Sequence, residues 1–276
     1  MKLFRWGAKG AERPGMVDDK GAMRDLSAHM TDLTPDMLAP ARLDRLKAIR
    51  PDSLPPVPDG ERLGVPVAGI GNLVAIGLNY RDHAAETSLT LPSEPVIFSK
   101  HTGSLAGAFD PLPLPEGTGK LDWEVELAVV VGTPAWRVSE DDALTHVAGY
   151  ATVNDISARD WQIERGGQWV KGKSGPGFCP LGPWLVTADD VPDPQALTLS
   201  TTVDGTVRQN GGTADMVFPV SVLISYVSRF MALAPGDVIL TGTPAGVGLA
   251  SGTYLAAGQT VEAEVQGLGR QRVVIV

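Results

Sequence analysis

Two glutamates, Glu124 and Glu126, stand two residues apart in the apolar run LDWEVELAVVVG, residues 121–132. The run has the length of a β-strand, in which alternate side chains share a face, so both carboxylates are expected to point the same way. Two like charges side by side are costly unless water or a cation compensates them. Ala128 and Val130 continue this face as apolar positions, which favours an interior cation over a solvent-exposed strand, the alternative interpretation.

A third carboxylate, Asp155, ends the apolar run AGYATVND. Three carboxylates without a nearby His or Cys pair select a hard cation, Mg²⁺ or Mn²⁺, rather than zinc. Three protein oxygens fill about half of an octahedral shell, and the remainder is open to water or substrate. Glu124, Glu126 and Asp155 are therefore the predicted metal ligands.

A second constellation is His83 with Glu86 in GLNYRDHAAE. A spacing of three residues places both on one face of a helical turn. A carboxylate beside an imidazole orients the ring and raises its basicity, which suits a general base acting on water. The alternative is a surface ion pair on a short helix.

Polar groups that can hold a substrate follow Asp155. Arg159, Gln162 and Lys173 lie in NDISARDWQIERGGQWVKGKS. Arginine and lysine bind carboxylates, and a lysine near a carbonyl can relay a proton. The alternative is solvated charge in a loop. The stretch also matches the phosphate-binding P-loop pattern at residues 167–174, but no strand precedes the match and no helix can follow it, so we reject that function.

Composition narrows the partners. The chain has 276 residues and a net charge of −9, with 43% hydrophobic and 20% charged residues. An acidic protein is a poor partner for nucleic acid or an anionic membrane, so we expect neither. The single cysteine, Cys179, fits a reducing compartment, and no apolar run is long enough to span a bilayer, so we predict a cytoplasmic protein.

The elements around these residues predict a mostly β protein with a few helices (α+β). Residues 1–66 form a small N-terminal unit: a strand, a hairpin with its turn at 18–21, a helix over 34–50 and a proline-rich linker over 51–66. From residue 67 onward, short apolar strand-like runs alternate with Gly, Pro and Asn clusters. Only residues 140–149 and 217–232 have the pattern of helices.

These pieces together resemble the fumarylacetoacetate hydrolase family. The resemblance covers residues 67–276 and rests on GLNYRDHAAE, WEVELAVVVG, VNDISARDWQ, KGKSGPGFCPLGPW and PGDVILTGTPAGVG, in that order. It implies a mixed-β roll of the family's C-terminal type as catalytic domain, with residues 1–66 as the β-rich extension of bacterial members. It also implies a homodimer. One departure is Gly175-Pro176-Gly177, where many members have an aromatic–Asp–Thr stretch.

The resemblance implies the same site residues. Glu124, Glu126 and Asp155 match the family's Mg²⁺ or Mn²⁺ ligands, and His83 with Glu86 matches its water-activating pair under a closing lid. The remaining matches are Arg159, Gln162 and Lys173 for carboxylate binding and proton handling, Thr243 near the substrate, and Tyr80, which we add as a substrate-binding position in GLNYRDHAAE.

The implied activity is hydrolysis of a C–C bond in a 2,4-diketo acid, either an acylpyruvate or a 2,4-diketo-3-deoxy sugar acid, giving pyruvate and a carboxylic acid. The sequence most resembles members acting on the sugar acids, relatives of which are often labelled ureidoglycolate lyase. The alternatives are ureidoglycolate cleavage, oxaloacetate decarboxylation, keto-acid tautomerisation, and a non-catalytic protein that binds a ligand through its metal.

Overall fold

A computed structural model describes residues 1–88 and 90–276 of the chain. Strand residues (32%) outnumber helical residues (20%), which confirms the mostly β fold class. The strands are β1 (Lys2–Trp6), β2 (Arg13–Val17), β3 (Met23–Asp25), β4 (Leu73–Gly77), β5 (Val96–Lys100), β6 (Leu105–Gly107), β7 (Leu121–Asp122), β8 (Val125–Val131), β9 (Val147–Asn154), β10 (Ser157–Ala158), β11 (Cys179–Leu181), β12 (Leu185–Thr187), β13 (Thr198–Val203), β14 (Thr206–Gly212), β15 (Val238–Leu240), β16 (Thr260–Val265) and β17 (Gly269–Val274).

The helices are short and lie between the strands. The α-helices are α1 (Pro40–Lys47), α2 (Arg81–Glu86), α3 (Arg159–Ile163), α4 (Val170–Lys173), α5 (Val220–Val227) and α6 (Gly248–Ser251). The 3₁₀ turns are Pro35–Leu38, Pro51–Ser53, Thr102–Ser104, Ala143–His146, Ala188–Asp190 and Thr213–Asp215. In the part of the chain that the structure describes, no helix is long and apolar enough to cross a membrane.

The largest sheet has eleven strands, nine of which follow the order β3-β2-β1-β12-β9-β8-β15-β4-β5, with β11 and β6 joined to it at β9. Most neighbours are antiparallel, but β15 pairs in parallel with β4 and β11 in parallel with β6. A second sheet, β14-β13-β16-β17, packs on β8 and β9. The sheets share a core in which Leu127 and Val129 of β8 meet Leu199 and Val265 of the smaller sheet.

The N-terminal residues extend the large sheet. Strand β1 pairs with β12, with Leu3 opposite Leu185, and Leu3 lies in the same core cluster as Val130 of β8. The predicted strand and hairpin are confirmed as β1–β3, and the predicted helix over 34–50 is interrupted at Ala39, where the backbone is extended. The division of the chain at residue 66 stays a prediction.

The run at 121–132 was predicted to be one continuous strand. It forms two strands instead, β7 and β8, which are separated by Trp123 and Glu124. The Trp123 amide donates to the Asp122 carboxylate (2.8 Å), and the Glu124 amide donates to the side-chain oxygen of Asn154 (2.9 Å). Polar side chains thus take the amides that a regular ladder would use. Beyond the break, β8 is buried on both faces, which confirms an interior position for the glutamates.

The predicted helix over 140–149 is wrong. Only Ala143–His146 form a 3₁₀ turn, and the chain then enters β9 at Val147. The apolar side chains of 147–149 lie in a strand paired with β8 and β12, so tertiary pairing decides their conformation. The predicted helix over 217–232 is confirmed in its centre as α5.

Gly149 marks a close approach between β9 and β12, and it gives a stability prediction. A Cβ at this position would lie 2.2 Å from the carbonyl oxygen of Val186. We expect Gly149→Ala to lower the free energy of unfolding by about 3 kcal/mol, because two backbones must separate. Urea denaturation measures the effect. Gly119→Ala is the matched control, since a Cβ there meets nothing within 4 Å. Equal stability of both variants would contradict this account of the packing.

Candidate active site

The three predicted metal ligands converge in the structure. Glu126 lies in β8, Glu124 just before it and Asp155 just after β9, and Val125 pairs with Asn154 across the two strands. One carboxylate oxygen from each ligand lies within 4.8 Å of the others. All three side chains are buried. The described residues therefore contain an all-oxygen cluster with the composition that a hard divalent cation prefers.

Two of these carboxylates are compensated by protein cations. Glu124 accepts from Arg159 Nη2 (2.5 Å) and Lys173 Nζ (2.6 Å). Asp155 accepts from Lys100 Nζ (2.5 Å) and Lys173 Nζ (2.8 Å). Burial opposes ionisation of Glu124, but Arg159 and Lys173 outweigh it and lower its pKa to about 2. Glu124 is thus held as an oriented anion, and two lysine ammonium groups orient Asp155.

Glu126 lacks such a partner. It makes no ion pair within 4 Å among the described residues, and its one hydrogen bond comes from the Gly242 amide to Oε2 (2.8 Å). Burial, followed by the charges of Asp155 and Glu124, raises its pKa well above the usual value. The site therefore fits a bound cation: Oε1 of Glu126 is without a partner in the described structure, and the donor set is entirely carboxylate.

Lys100 is a site residue that the sequence did not single out. Its buried ammonium donates to Asp155 Oδ1, to the carbonyl oxygen of Ile156 (3.3 Å) and to the carbonyl oxygen of Lys173. All three ammonium hydrogens are thereby used. Lys100 ends β5, and only pairing between distant parts of the sequence brings it to Asp155, so no spacing signal marks it.

Asp122 is the second residue missed. Its carboxylate is fully buried and accepts from Arg159 Nε (2.7 Å) and from the backbone amides of Trp123, Gly248 and Leu249. It ties β7 to the first residues of α6. One signal in the sequence could have indicated Asp122, since it lies two residues before Glu124. It belongs to β7, however, and is separated from β8 by the break in the strand.

Arg159 and Gln162 both reach the cavity from α3. Arg159 donates to Asp122, to Glu124 and, through Nη1, to Gln162 Oε1 (3.1 Å). Three of its five N–H groups are therefore used within the protein. Arg159 orients Glu124, and only its two remaining N–H groups can donate hydrogen bonds to a substrate carboxylate.

The predicted pair of His83 and Glu86 is in contact on α2. His83 Nδ1 lies 2.7 Å from Glu86 Oε1, and Glu86 Oε2 accepts from the Gly246 amide (2.8 Å). Glu86 is therefore fixed from a second element, and it holds the ring by one nitrogen. Nε2 is the ring nitrogen with no hydrogen bond to any described residue, and it is the atom available to accept a proton.

Thr243 and Tyr80 have different positions. Thr243 lines the cavity, but its hydroxyl donates to the Val125 carbonyl (2.8 Å) and accepts from Gln209 Nε2 (2.7 Å). Tyr80 is fully buried and is not among the residues that line the cavity, and its place at the substrate stays a prediction. Its ring belongs to the core cluster, where burial, followed by the charge of Glu126, raises the pKa of its phenol well above the usual value.

A cavity of about 130 Å³ joins the carboxylate cluster to the His83–Glu86 pair. Its polar lining comes from most of the predicted residues. Its lining residues are Ile76, Gly77, Leu78, His83, Thr87, Phe98, Glu124, Glu126, Arg159, Gln162, Ile163, Trp169, Lys173, Thr243 and Leu249.

Cys179 lies behind this site in β11 and is fully buried. Burial raises the pKa of its thiol to about 12. We expect no alkylation by iodoacetamide at about pH 8 in the folded protein and rapid alkylation after guanidinium unfolding, because the thiolate is the reactive form. Mass spectrometry follows the modification. Fast labelling of the folded protein would show that the thiol is accessible, contrary to its place in the structure.

The mostly β fold thus holds a buried carboxylate cluster that could bind a metal ion, next to a cavity with polar and apolar walls. The model of the fumarylacetoacetate (FAA) hydrolase C-terminal family matches residues 72–276. The chain belongs to the fumarylacetoacetate hydrolase family, which includes hydrolases and isomerases.

Relatives match over almost their whole length. A protein of Burkholderia multivorans, named only as a hydrolase, is 54% identical over 98% of this chain and 97% of its own. A fumarylacetoacetate hydrolase from Exiguobacterium antarcticum is 35% identical, with a TM-score of 0.86 over 100% of this chain and 99% of its own. A 2-hydroxyhepta-2,4-diene-1,7-dioate isomerase from Mycobacterium marinum is 32% identical, with a TM-score of 0.75 over 100% and 98%.

Proposed function

We propose that the protein hydrolyses a C–C bond in a 2,4-diketo acid, an acylpyruvate or a 2,4-diketo-3-deoxy sugar acid, with Mg²⁺ or Mn²⁺ as cofactor. The products are pyruvate and a second carboxylic acid. The observation that carries the proposal is one cavity lined both by the carboxylate cluster and by a histidine whose partner is an anchored glutamate. Glu124, Glu126 and Asp155 would hold the metal, which supplies Lewis-acid stabilisation of negative charge on the departing enolate.

The charge balance of the site supports an anionic substrate. When all four buried carboxylates are ionised against three buried cations, as metal binding requires, the protein contributes one negative charge. A divalent cation would turn this into one positive charge, which a substrate carboxylate neutralises. The residues in this count are Asp122, Glu124, Glu126, Asp155, Lys100, Arg159 and Lys173.

The protein groups divide the proton transfers between them. His83, held at Nδ1 by Glu86, accepts a proton from water at Nε2. The hydroxide formed attacks the C4 carbonyl, the C3–C4 bond breaks, and its electron pair leaves as the enolate of pyruvate. Lys173, with Gln162 beside the substrate, assists proton return to C3. The acid released from C4 takes the oxygen of the water.

An isomerase is the second candidate, favoured by the isomerase name of the M. marinum relative. Tautomerisation moves a proton between carbon and oxygen and consumes no water. The two reactions are separated by their products, because hydrolysis alone generates pyruvate and a second acid in equal amounts.

We expect His83→Ala to lower kcat for diketo-acid cleavage by about 100- to 10,000-fold, since a positioned general base contributes this much. The rise in melting temperature on adding Mn²⁺ should stay as in the parent, because His83 is not a proposed ligand. The substrate is first identified by screening the parent protein against 2,4-diketo acids, oxaloacetate and ureidoglycolate and detecting pyruvate or glyoxylate. His29→Ala, on the exposed surface, is the control. Unimpaired cleavage by His83→Ala would contradict the proposal that His83 is the general base.

Two further expectations concern the whole molecule. We propose a homodimer, which sedimentation would show as a species of twice the 29.0 kDa chain mass. We also propose a cytoplasmic protein that binds neither nucleic acid nor membranes, in keeping with its net charge of −9.

A further inference from the structure

Much of the cavity lining has no part in the chemistry above, and that part is apolar. Leu78, Phe98, Ile163, Trp169 and Leu249 contribute hydrocarbon or aromatic surface next to the polar groups. One end of a 2,4-diketo acid would be held at the carboxylate cluster. The other end, the tail on C4, must lie against a different part of the cavity lining. These five side chains, called here the apolar wall, are the surface available for that tail.

Trp169 is the largest member of the apolar wall and is packed in place. Its ring meets Phe98 edge to face, with the ring centroids 5.2 Å apart. It also fills the space beside Gly77, where a Cβ would lie 2.7 Å from the Trp169 ring. A side chain larger than hydrogen at residue 77 would displace the tryptophan. The wall is therefore a fixed surface, suited to an apolar group.

The cavity offers no spare cation for a charged tail. Arg159 and Lys173 are the only lysine or arginine side chains among the described lining residues, and both already bind carboxylates of the protein. A second carboxylate on the substrate would have to be buried against the apolar wall without a counter-ion, which is costly. Hydroxyl groups placed there would also lose hydrogen bonds to water.

We propose that the site selects a 2,4-diketo acid whose C4 tail is short, uncharged and apolar, with Phe98 and Trp169 as specificity-determining residues. This inference rests on the proposed function and chooses acylpyruvates over sugar acids. It also separates this chain from the M. marinum relative, whose name specifies a 1,7-dioate with a carboxylate at each end. The cavity of about 130 Å³ is similar in size to an apolar cavity that holds benzene and must also receive the diketo-acid end, which favours a short tail.

The test compares 2,4-diketo acids of matched length carrying an alkyl, a dihydroxylated or a carboxylate tail. We expect kcat/KM for the alkyl tail to exceed that for either other tail by at least about 10-fold, as for an apolar pocket that discriminates by desolvation. An equal or higher kcat/KM for the carboxylate or hydroxylated tail overturns this inference and leaves the proposed function standing. Failure to cleave any of the three removes both.

A pair of variants locates the preference. Ile163 is 53% exposed at the cavity rim, so Ile163→Lys introduces a cation at the wall at little risk to folding. It should raise kcat/KM for the carboxylate tail by at least about 10-fold. Val170→Lys is the matched control, since Val170 is 42% exposed and is not a lining residue. Equal gains in both variants, or none in Ile163→Lys, would show that the wall does not select the tail.

Discussion

Glu126→Gln is expected to abolish metal-dependent turnover without weakening the metal-free fold. Glu126 is the only proposed ligand without an ion-pair partner among residues 1–88 and 90–276, and burial beside Asp155 and Glu124 makes its charge unfavourable. Glutamine keeps an oxygen for the Gly242 amide and removes that charge. We expect at least about a 100-fold loss of kcat/KM, since even groups that only orient metal ligands are worth 10- to 100-fold.

The two effects are measured separately. In EDTA, the melting temperature of Glu126→Gln should equal or exceed that of the parent. Added Mn²⁺ should stabilise the parent, by about 2.7 kcal/mol at 100 times its dissociation constant, and leave the variant unchanged. Glu262→Gln, the same replacement in β16 of the smaller sheet, is the control. A variant that still gains stability from Mn²⁺ and keeps full activity would exclude Glu126 as a ligand.

Lys100→Met is expected to have the largest effect on stability. Methionine replaces the hydrocarbon part of the lysine side chain but leaves Asp155 Oδ1 and the carbonyl oxygens of Ile156 and Lys173 without their donor. Removing one partner of a buried ion pair costs about 3–5 kcal/mol, because the other charge stays buried. Urea denaturation in EDTA measures this loss. Cleavage activity should fall with it, since Lys100 positions both Asp155 and the end of α4.

A second substitution separates the buried charge from packing. In Lys100→Met, Asp155 keeps only Lys173 as a cationic partner. Adding Asp155→Asn removes this under-compensated carboxylate, so the double variant should regain part of the lost stability but none of the activity. Lys120→Met, which breaks an exposed pair with Glu164, should leave the unfolding midpoint unchanged. A Lys100→Met protein as stable as the Lys120→Met protein would show that the ammonium is dispensable.

The sequence was informative where local spacing determines geometry. Alternation along a strand put Glu124 and Glu126 on one side, and a spacing of three residues put His83 beside Glu86. The apolar positions Ala128 and Val130 correctly indicated a buried face. Such placements depend only on the repeat of a strand or helix, so a few neighbouring residues are enough to predict them.

The sequence was uninformative where contacts join distant segments. Lys100 reaches Asp155 across 55 residues, and Arg159 reaches Asp122 across 37. The conformation of residues 147–149 is decided by pairing with β8 and β12, which outweighs their helical pattern. Tyr80 is close in sequence to the His83–Glu86 pair, but its ring belongs to a core cluster. Proximity along the chain alone could not distinguish these cases.

The position of β15 has a consequence for biosynthesis. This strand is formed by residues 238–240, yet it lies inside the large sheet between β8 and β4, and the loop after it supplies the Gly242 amide to Glu126. Until residues 238–240 leave the ribosome, β4 and β8 each have an unpaired edge, and such edges favour association between nascent chains. The sheet and its carboxylate cluster can therefore be completed only after residues 238–242 have been synthesised, so the earlier strands must stay unassociated until then.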